Sequence, residues 1–353
     1  MSESTSEQMA TATFKSFGEL VEFYRPRVHK QILEYMPMKE PKQHYIIARD
    51  YVERQGKYAR PGLLLTSGLF FGAKPDDLIL PAAAQQLSED WILMQDDAED
   101  DSDTRRGKPA IQKLYGWVHS VNASNVGQVA MWKMLKDYAM RNGAMGSKLY
   151  DKFYEMIMTT AEGQYIENQF IHHTKDLEQA TEKMYFDIIY SKTCFYTVYG
   201  PLQLGAIVAN QPDWVLEFLK NVGTEAGRAF QIVDDVLDYI ADEKAFGKAN
   251  FGDVYEGKIT IPVLHAYKNA TKEEKAKMNA IFRKTRDQKT KEEVMWIFDL
   301  EKKYGSLDYA MDMANGYGAR AEQMVKDNLD KLPKNEYTDV FLNAIRAMYV
   351  RKK

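Results

Sequence analysis

Apolar residues recur along this chain at helical rather than alternating intervals. In LVEFYRPRVHKQILEYM, residues Leu20, Phe23, Val28, Ile32, Leu33 and Met36 follow one another mostly at steps of three to five, the period that lines one helix face. Similar spacing runs through 76–102, 118–140, 147–172, 177–209, 212–242, 261–285, 290–302 and 306–331. Turn signals fall between or inside these segments: Gly56, 72–75, Arg106-Gly107-Lys108-Pro109, Asn142-Gly143, Gln211-Pro212 and Leu332-Pro333. No run of four or more strands with hairpin turns breaks the pattern. It predicts an all-α fold, a single-domain bundle of long helices, with 1–12 as a flexible N-terminus and 13–353 as the domain.

The segment 186–209, FDIIYSKTCFYTVYGPLQLGAIVA, is apolar most of the way round, which puts a helix inside a bundle. Pro201 should kink or interrupt it. The charged stretches TKEEKAK and TRDQKTKEE read as solvated helix ends or loops. Gly (21) and Pro (11) are scarce in 353 residues, in keeping with long elements. A net charge of −4 argues against a nucleic-acid-coating or polybasic membrane protein. No apolar stretch matches a bilayer span and the N-terminus shows no signal pattern. Cys194 is the single cysteine and suits a reducing compartment, so a cytoplasmic location without stable membrane insertion is expected.

Two acidic clusters change the picture. The first is Asp96, Asp97, Glu99, Asp100, Asp101 and Asp103, at the end of an apolar helical segment. On a helix, Asp96 shares a face with Asp100, and Asp97 with Asp101, a spacing at which like charges repel. The second is Asp234, Asp235 and Asp238 in FQIVDDVLDY, where apolar flanks make ionised carboxylates expensive without cations. An exposed acidic face is the plain alternative for either. An EF-hand is disfavoured because no glycine stands where its loop turns. Oxygen donors without nearby His or Cys point to hard cations, above all Mg2+. Two matching DDxxD patterns can face each other across a central cavity of the bundle.

Basic residues accompany the acids: Gly56-Lys57-Tyr58-Ala59-Arg60-Pro61 upstream, Arg105-Arg106-Gly107-Lys108-Pro109 after the first cluster, and Lys244, Lys248 and Lys258 after the second. Carboxylates beside Arg and Lys fit a phosphorylated ligand bridged by Mg2+. No Walker loop, GxGxxG, GxSxG or HExxH is present.

With GKYARP, DDAEDDSDTRRGKP, GQYIEN, SKT, FQIVDDVLDY and FGKANFGDVYEGKITIP in order, the chain resembles trans-isoprenyl diphosphate synthases over roughly 20–345. The EGKITIP segment looks most like archaeal-type geranylgeranyl and farnesyl synthases. The resemblance implies an isoprenoid-synthase-like fold, a homodimer, and three Mg2+ ions per site held by Asp96, Asp97, Asp100, Asp234, Asp235 and Asp238. It implies that Arg105, Lys192, Lys248 and Lys258 hold an allylic diphosphate (dimethylallyl, geranyl or farnesyl). Lys57, Arg60 and Arg106 would hold isopentenyl diphosphate, and Lys192, Thr193 and Gln231 would act beside the reacting carbons. Two positions depart from the family: Glu89 stands where His or Gln is usual, and Glu167 replaces the commoner Asp. An acid cannot grip a diphosphate as His does unless protonated or bridged.

The implied chemistry is Mg2+-assisted ionisation of the allylic diphosphate, attack by isopentenyl diphosphate and loss of a proton, with departing diphosphate as base. Apolar walls must keep water from the cation. For product length, Ile92 and Ser88 lie one and two turns below Asp96, with Ser88 about 12 Å along the axis. Trp91 closes the pocket sideways, unless it is plain core. One aromatic at this position resembles archaeal geranylgeranyl synthases and favours a C20 product; the bulk of Trp keeps C15 open. A class I terpene cyclase and a non-catalytic partner subunit are the competing readings. GKYARP, RRG and the second Asp-rich motif oppose the cyclase, and two intact acid clusters oppose the inert subunit. The basic end Arg351-Lys352-Lys353 reads as a frayed terminus.

Overall fold

The structure, a computed structural model, describes residues 13–240 and 251–350. Lys244, Lys248 and the basic end at 351–353 lie outside the described residues. Helices α1 (Phe17–Tyr35), α2 (Lys42–Arg54), α3 (Ala59–Phe70) and α4 (Pro75–Glu99) lead to a two-stranded ribbon, β1 (Thr104–Arg105) and β2 (Lys108–Pro109). Then come α5 (Ile111–Tyr115), α6 (Trp117–Gln169), α7 (Glu182–Ile189), α8 (Gly200–Val208) and α9 (Asp213–Ile240). The remainder is α10 (Gly252–Glu256), α11 (Ile261–Asn269), α12 (Lys272–Phe282), α13 (Lys291–Lys303), α14 (Ser306–Lys326) and α15 (Thr338–Ala347). The all-α expectation holds, and no helix among the described residues is long and apolar enough to cross a membrane.

Three element boundaries differ from the periodic reading, each for a local reason. Segments 118–140 and 147–172 are the two arms of α6, bent where Gly143 takes φ 56° and ψ −130°. Segment 177–209 divides in three: α7 starts behind the Thr181 cap, a π-helical stretch covers Tyr190–Tyr199, and α8 begins with Pro201 in its first turn. Proline offers no N–H to the preceding ladder, and the wide turns just before it absorb the break. Segment 261–285 splits because Thr271 and Glu274 form a capping box that restarts the chain as α12. The turn predicted at Arg106-Gly107 is a tight hairpin with φ 53° and 74°, the backbone of a two-residue type I′ turn.

Two apolar cores carry the site between them. One gathers α1, α3, α4, α6 and α8 around Leu20, Tyr24, Leu64, Leu135 and Phe153. The other joins α11, α13 and α14 around Ile261, Ile297 and Ala314. Helix α9 belongs to both: Val222 and Ala226 enter the first core, Ile232, Val233 and Val236 the second. The second acidic cluster therefore rides on the element that joins the two halves.

Candidate active site

A cavity of about 650 Å3 lies at this junction, lined by residues of α4, α6, α7, the π stretch, α9 and the 253–260 turn. Asp96 opens onto it from the last turn of α4. Acids there stand at the negative end of the helix dipole, and three basic side chains from elsewhere offset them. Lys192 Nζ is 3.2 Å from Asp96, Arg105 Nη2 is 3.8 Å from Asp96, and Lys258 Nζ is 2.9 Å from Asp100. Burial alone would raise the Asp96 pKa, but Lys192, Lys258 and Arg105 outweigh it and hold this carboxyl well below its ordinary range. For Asp100, burial wins, helped by Asp96 and Glu256 and opposed by Lys258, and its pKa is pushed up to about 7. Its Oδ1 is buried without a hydrogen-bond partner, a free oxygen of the kind a hard cation takes.

Asp97 differs from its neighbours. It is fully buried, grips Arg105 with both oxygens, and accepts 2.6 Å from the Tyr51 hydroxyl. Adjacent helix residues point about 100° apart, so Asp96 and Asp97 cannot both face the cavity. In this arrangement the Asp97 carboxylate aims Arg105.

The opposite wall is α9, where Asp234 lines the cavity. Asp235 is 3% exposed and accepts from Tyr185 Oη at 2.7 Å and Gln231 Nε2 at 2.8 Å. Thr193 Oγ1 in turn donates to Gln231 at 2.7 Å, so the chain Thr193–Gln231–Asp235 is continuous. Burial pushes the Asp235 pKa up to about 8, although Gln231 and Tyr185 both stabilise the ionised form. Asp235 also borders the cavity, beside Asp234. Asp238 accepts the backbone N–H of Asp253 at 3.0 Å, tying α9 to the turn that carries Lys258.

That turn is braced from a distant segment, by Arg286 and Lys289. Glu256 pairs with Lys258 at 2.5 Å and with Arg286 at 3.0 Å, and Arg286 reaches Asp103 at 3.0 Å. Lys289 is 6% exposed and donates to the carbonyls of Val254 and Tyr255, both at 2.8 Å. Burial, with Lys175 adding to it, lowers its pKa to about 7. The TRDQKTKEE stretch, expected to be solvated, thus supplies two supports for the site. Behind α9, Glu301 is completely buried, accepts from Tyr239 at 2.8 Å and leaves Oε2 unpartnered.

The third side is basic. Arg60 Nη1 is 3.1 Å from Glu89, and Arg106 Nη2 is 2.8 Å from Asp90 and 3.8 Å from Glu89. Burial raises the Asp90 pKa to about 6 despite Arg106. Arg106 holds a left-handed backbone, a conformation costing a non-glycine residue about 1–3 kcal/mol, and it points at Gly56. A Cβ on Gly56 would come within 2.7 Å of its guanidinium. Lys57, the next residue, is exposed.

Trp91 and Ile92 line the cavity, as their spacing from Asp96 implied. Ser88 does not appear on its wall: it is fully buried, 3.0 Å from the hydroxyl of Tyr196, and it is Tyr196 that faces the space. Nothing in the local pattern marks Tyr196, four residues past Lys192. On α6, the GQYIEN motif supplies Glu167, 2.5 Å from Lys192, while Gln164 and Asn168 each donate to Glu99 at 2.8 Å. Gly163 permits this approach, because a Cβ there would come within 3.0 Å of the Lys192 amide nitrogen.

Carboxylates on two walls, lysines between them and an apolar pocket below form a site for a polyanion with a long apolar tail. Comparison with known proteins agrees. The polyprenyl synthetase model matches residues 41–300. The geranylgeranyl diphosphate synthase of Sulfolobus acidocaldarius is 33% identical over 265 residues, covering 74% of this chain and 77% of that protein. The geranylgeranyl pyrophosphate synthetase of Pyrococcus horikoshii superposes with TM-score 0.81 at 30% identity, over 95% of this chain and 98% of that one. The Corynebacterium glutamicum geranylgeranyl pyrophosphate synthase, complexed with isoprenyl diphosphate and magnesium, has the same fold, with TM-score 0.83 and 21% identity over 94% and 99% of the two chains. The chain belongs to the polyprenyl synthetase family.

Proposed function

We propose that this prenyltransferase condenses isopentenyl diphosphate with allylic diphosphates and makes geranylgeranyl diphosphate. The observation that carries the reading is the pair of lysines spanning the acid walls, Lys192 on Asp96 and Lys258 on Asp100. Each donor is fixed by a second acid, Glu167 or Glu256, so it stays in place when a diphosphate arrives. Asp96, Asp100 and Asp234 would hold Mg2+, three ions per site, with Asp238 beside them; the donors are all oxygen, and Asp100 Oδ1 has no competing partner. Bound Mg2+ neutralises a diphosphate and so favours its departure.

The chain's own residues do the rest. Lys192, Lys258 and Arg105 grip the allylic diphosphate, Lys57, Arg60 and Arg106 the isopentenyl one. Thr193 and Gln231 turn oxygen dipoles toward the carbons where positive charge develops. Ile92, Ile157 and Ile188 keep water from them. Tyr154, Met158 and Tyr165 expose an apolar stripe on α6, which suits the homodimer in this reading.

Incubation with labelled isopentenyl diphosphate, Mg2+ and dimethylallyl, geranyl or farnesyl diphosphate tests the proposal, with extracted products sized by chromatography. C20 product is expected from all three, and no condensation with any primer rejects the reading. Trp91→Ala is expected to lengthen the product by at least one C5 unit; an unchanged distribution removes Trp91 from the pocket floor.

A further inference from the structure

We infer that Glu89 is a resident counter-anion of the acceptor site, which an incoming diphosphate must displace, and that it sets the affinity of this site for isopentenyl diphosphate. The inference rests on the reading of Arg60 and Arg106 as the isopentenyl diphosphate cradle. Glu89 Oε1 lies 3.1 Å from Arg60 Nη1 and 3.8 Å from Arg106 Nη2. One carboxylate oxygen thus stands between two guanidinium groups, the position a bridging phosphate oxygen would take. The other oxygen, Oε2, is buried with no hydrogen-bond partner, although Glu89 borders the cavity.

Glu89 is not the only group that positions the arginines. Arg106 is fixed by Asp90 at 2.8 Å and by the Tyr51 carbonyl. Arg60 rests over the Tyr196 ring, 4.8 Å from its centre, and that ring is held by Ser88. What Glu89 adds is charge. Arg60 and Arg106 face Glu89 and Asp90, so two carboxyls offset much of the attraction that Lys57, Arg60 and Arg106 offer an anion. A carboxylate within about 4 Å of a bound anion repels it strongly in so buried a setting. Glu89 therefore weakens the hold of the acceptor site on a diphosphate. Free inorganic pyrophosphate, released at each condensation, is then kept from lodging in the acceptor site.

Steady-state kinetics on the full chain test this, with isopentenyl diphosphate varied at saturating geranyl diphosphate and Mg2+. Glu89→Gln is expected to lower KM for isopentenyl diphosphate by about tenfold, with KM for geranyl diphosphate changed less than about twofold. Inorganic pyrophosphate, used as a competitor against isopentenyl diphosphate, should gain affinity by the same factor. Glu89→His, which also removes the charge, should move both constants in the same direction and serves if the glutamine variant folds poorly. An unchanged or raised KM in these variants overturns the inference, because the carboxyl would then be assisting the diphosphate. Arg60→Gln separates the two layers of argument. It should raise KM for isopentenyl diphosphate; if it does not, while the wild type condenses normally, the assignment of the cradle fails rather than the role of Glu89.

Discussion

Asp97 and Asp235 occupy the same place in two motifs spelled alike, and the fold treats them differently. Both are buried second aspartates, and both accept from a tyrosine, Tyr51 at 2.6 Å and Tyr185 at 2.7 Å. Asp97 then receives an arginine, Arg105, whereas Asp235 receives the amide of Gln231. A charged partner compensates a buried carboxylate, while neutral donors do so only in part. Hence Asp235 is pushed up to about 8 and keeps its proton at neutral pH. In the first wall Asp97 is matched by a charge from within the chain. In the second wall Asp235 is held by hydrogen bonds from neutral groups.

Breaking the charged anchor should cost most. Asp97→Asn strands Arg105 in a buried position, and a loss of about 3–5 kcal/mol in unfolding free energy is expected by denaturant titration. Asp235→Asn replaces a neutral carboxyl by a neutral amide of the same shape, so less than about 1 kcal/mol is expected. Equal losses in the two variants would erase the contrast.

Glu301 sharpens the comparison, since it too relies on a tyrosine in the second core. Burial raises its pKa from 4.5 to about 8, despite the hydrogen bond from Tyr239. The folded state therefore binds a proton that the unfolded state has released, and this contribution to stability is full below about 4.5 and lost as pH rises through about 8. Without divalent metal, melting temperature should fall over that window, and Glu301→Gln should flatten the fall, adding about 2 kcal/mol near pH 8 relative to wild type. A variant whose pH slope matches the wild type would contradict the burial argument. The smallest effect is expected at Gly56. Its alanine variant should displace the Arg106 guanidinium and raise KM for isopentenyl diphosphate about threefold, leaving melting temperature within about 1 °C. A large thermal loss would mean that Gly56 serves the backbone instead.

Much of this was legible in the chain because the signals are local. Helical spacing and scarce breakers disclose the all-α class, and two acid clusters announce their chemistry by composition. Helix geometry also pairs Asp96 with Asp100, though only the packing of α4 against its neighbours decides that Asp96, and not Asp97, meets the cavity. Contacts between distant segments left no mark in the pattern. Arg286 and Lys289 sit in a stretch that looks solvated, yet their partners are Glu256, Asp103 and two carbonyls far away in sequence. Ser88 looks like open depth until Tyr196, from another element, covers it. Periodicity read 177–209 as a single run because α and π turns share one apolar composition.

The π-helical stretch has a consequence for how this protein can vary. Lys192, Thr193, Tyr196 and Thr197 all border the cavity from within Tyr190–Tyr199. Deleting one residue there while the wide turns persist would rotate everything on one side by about 100° relative to the other. Lys192 or Tyr196 would then leave the cavity, even with every side chain retained. Over these ten positions, the site therefore depends on the number of residues as well as on their identity.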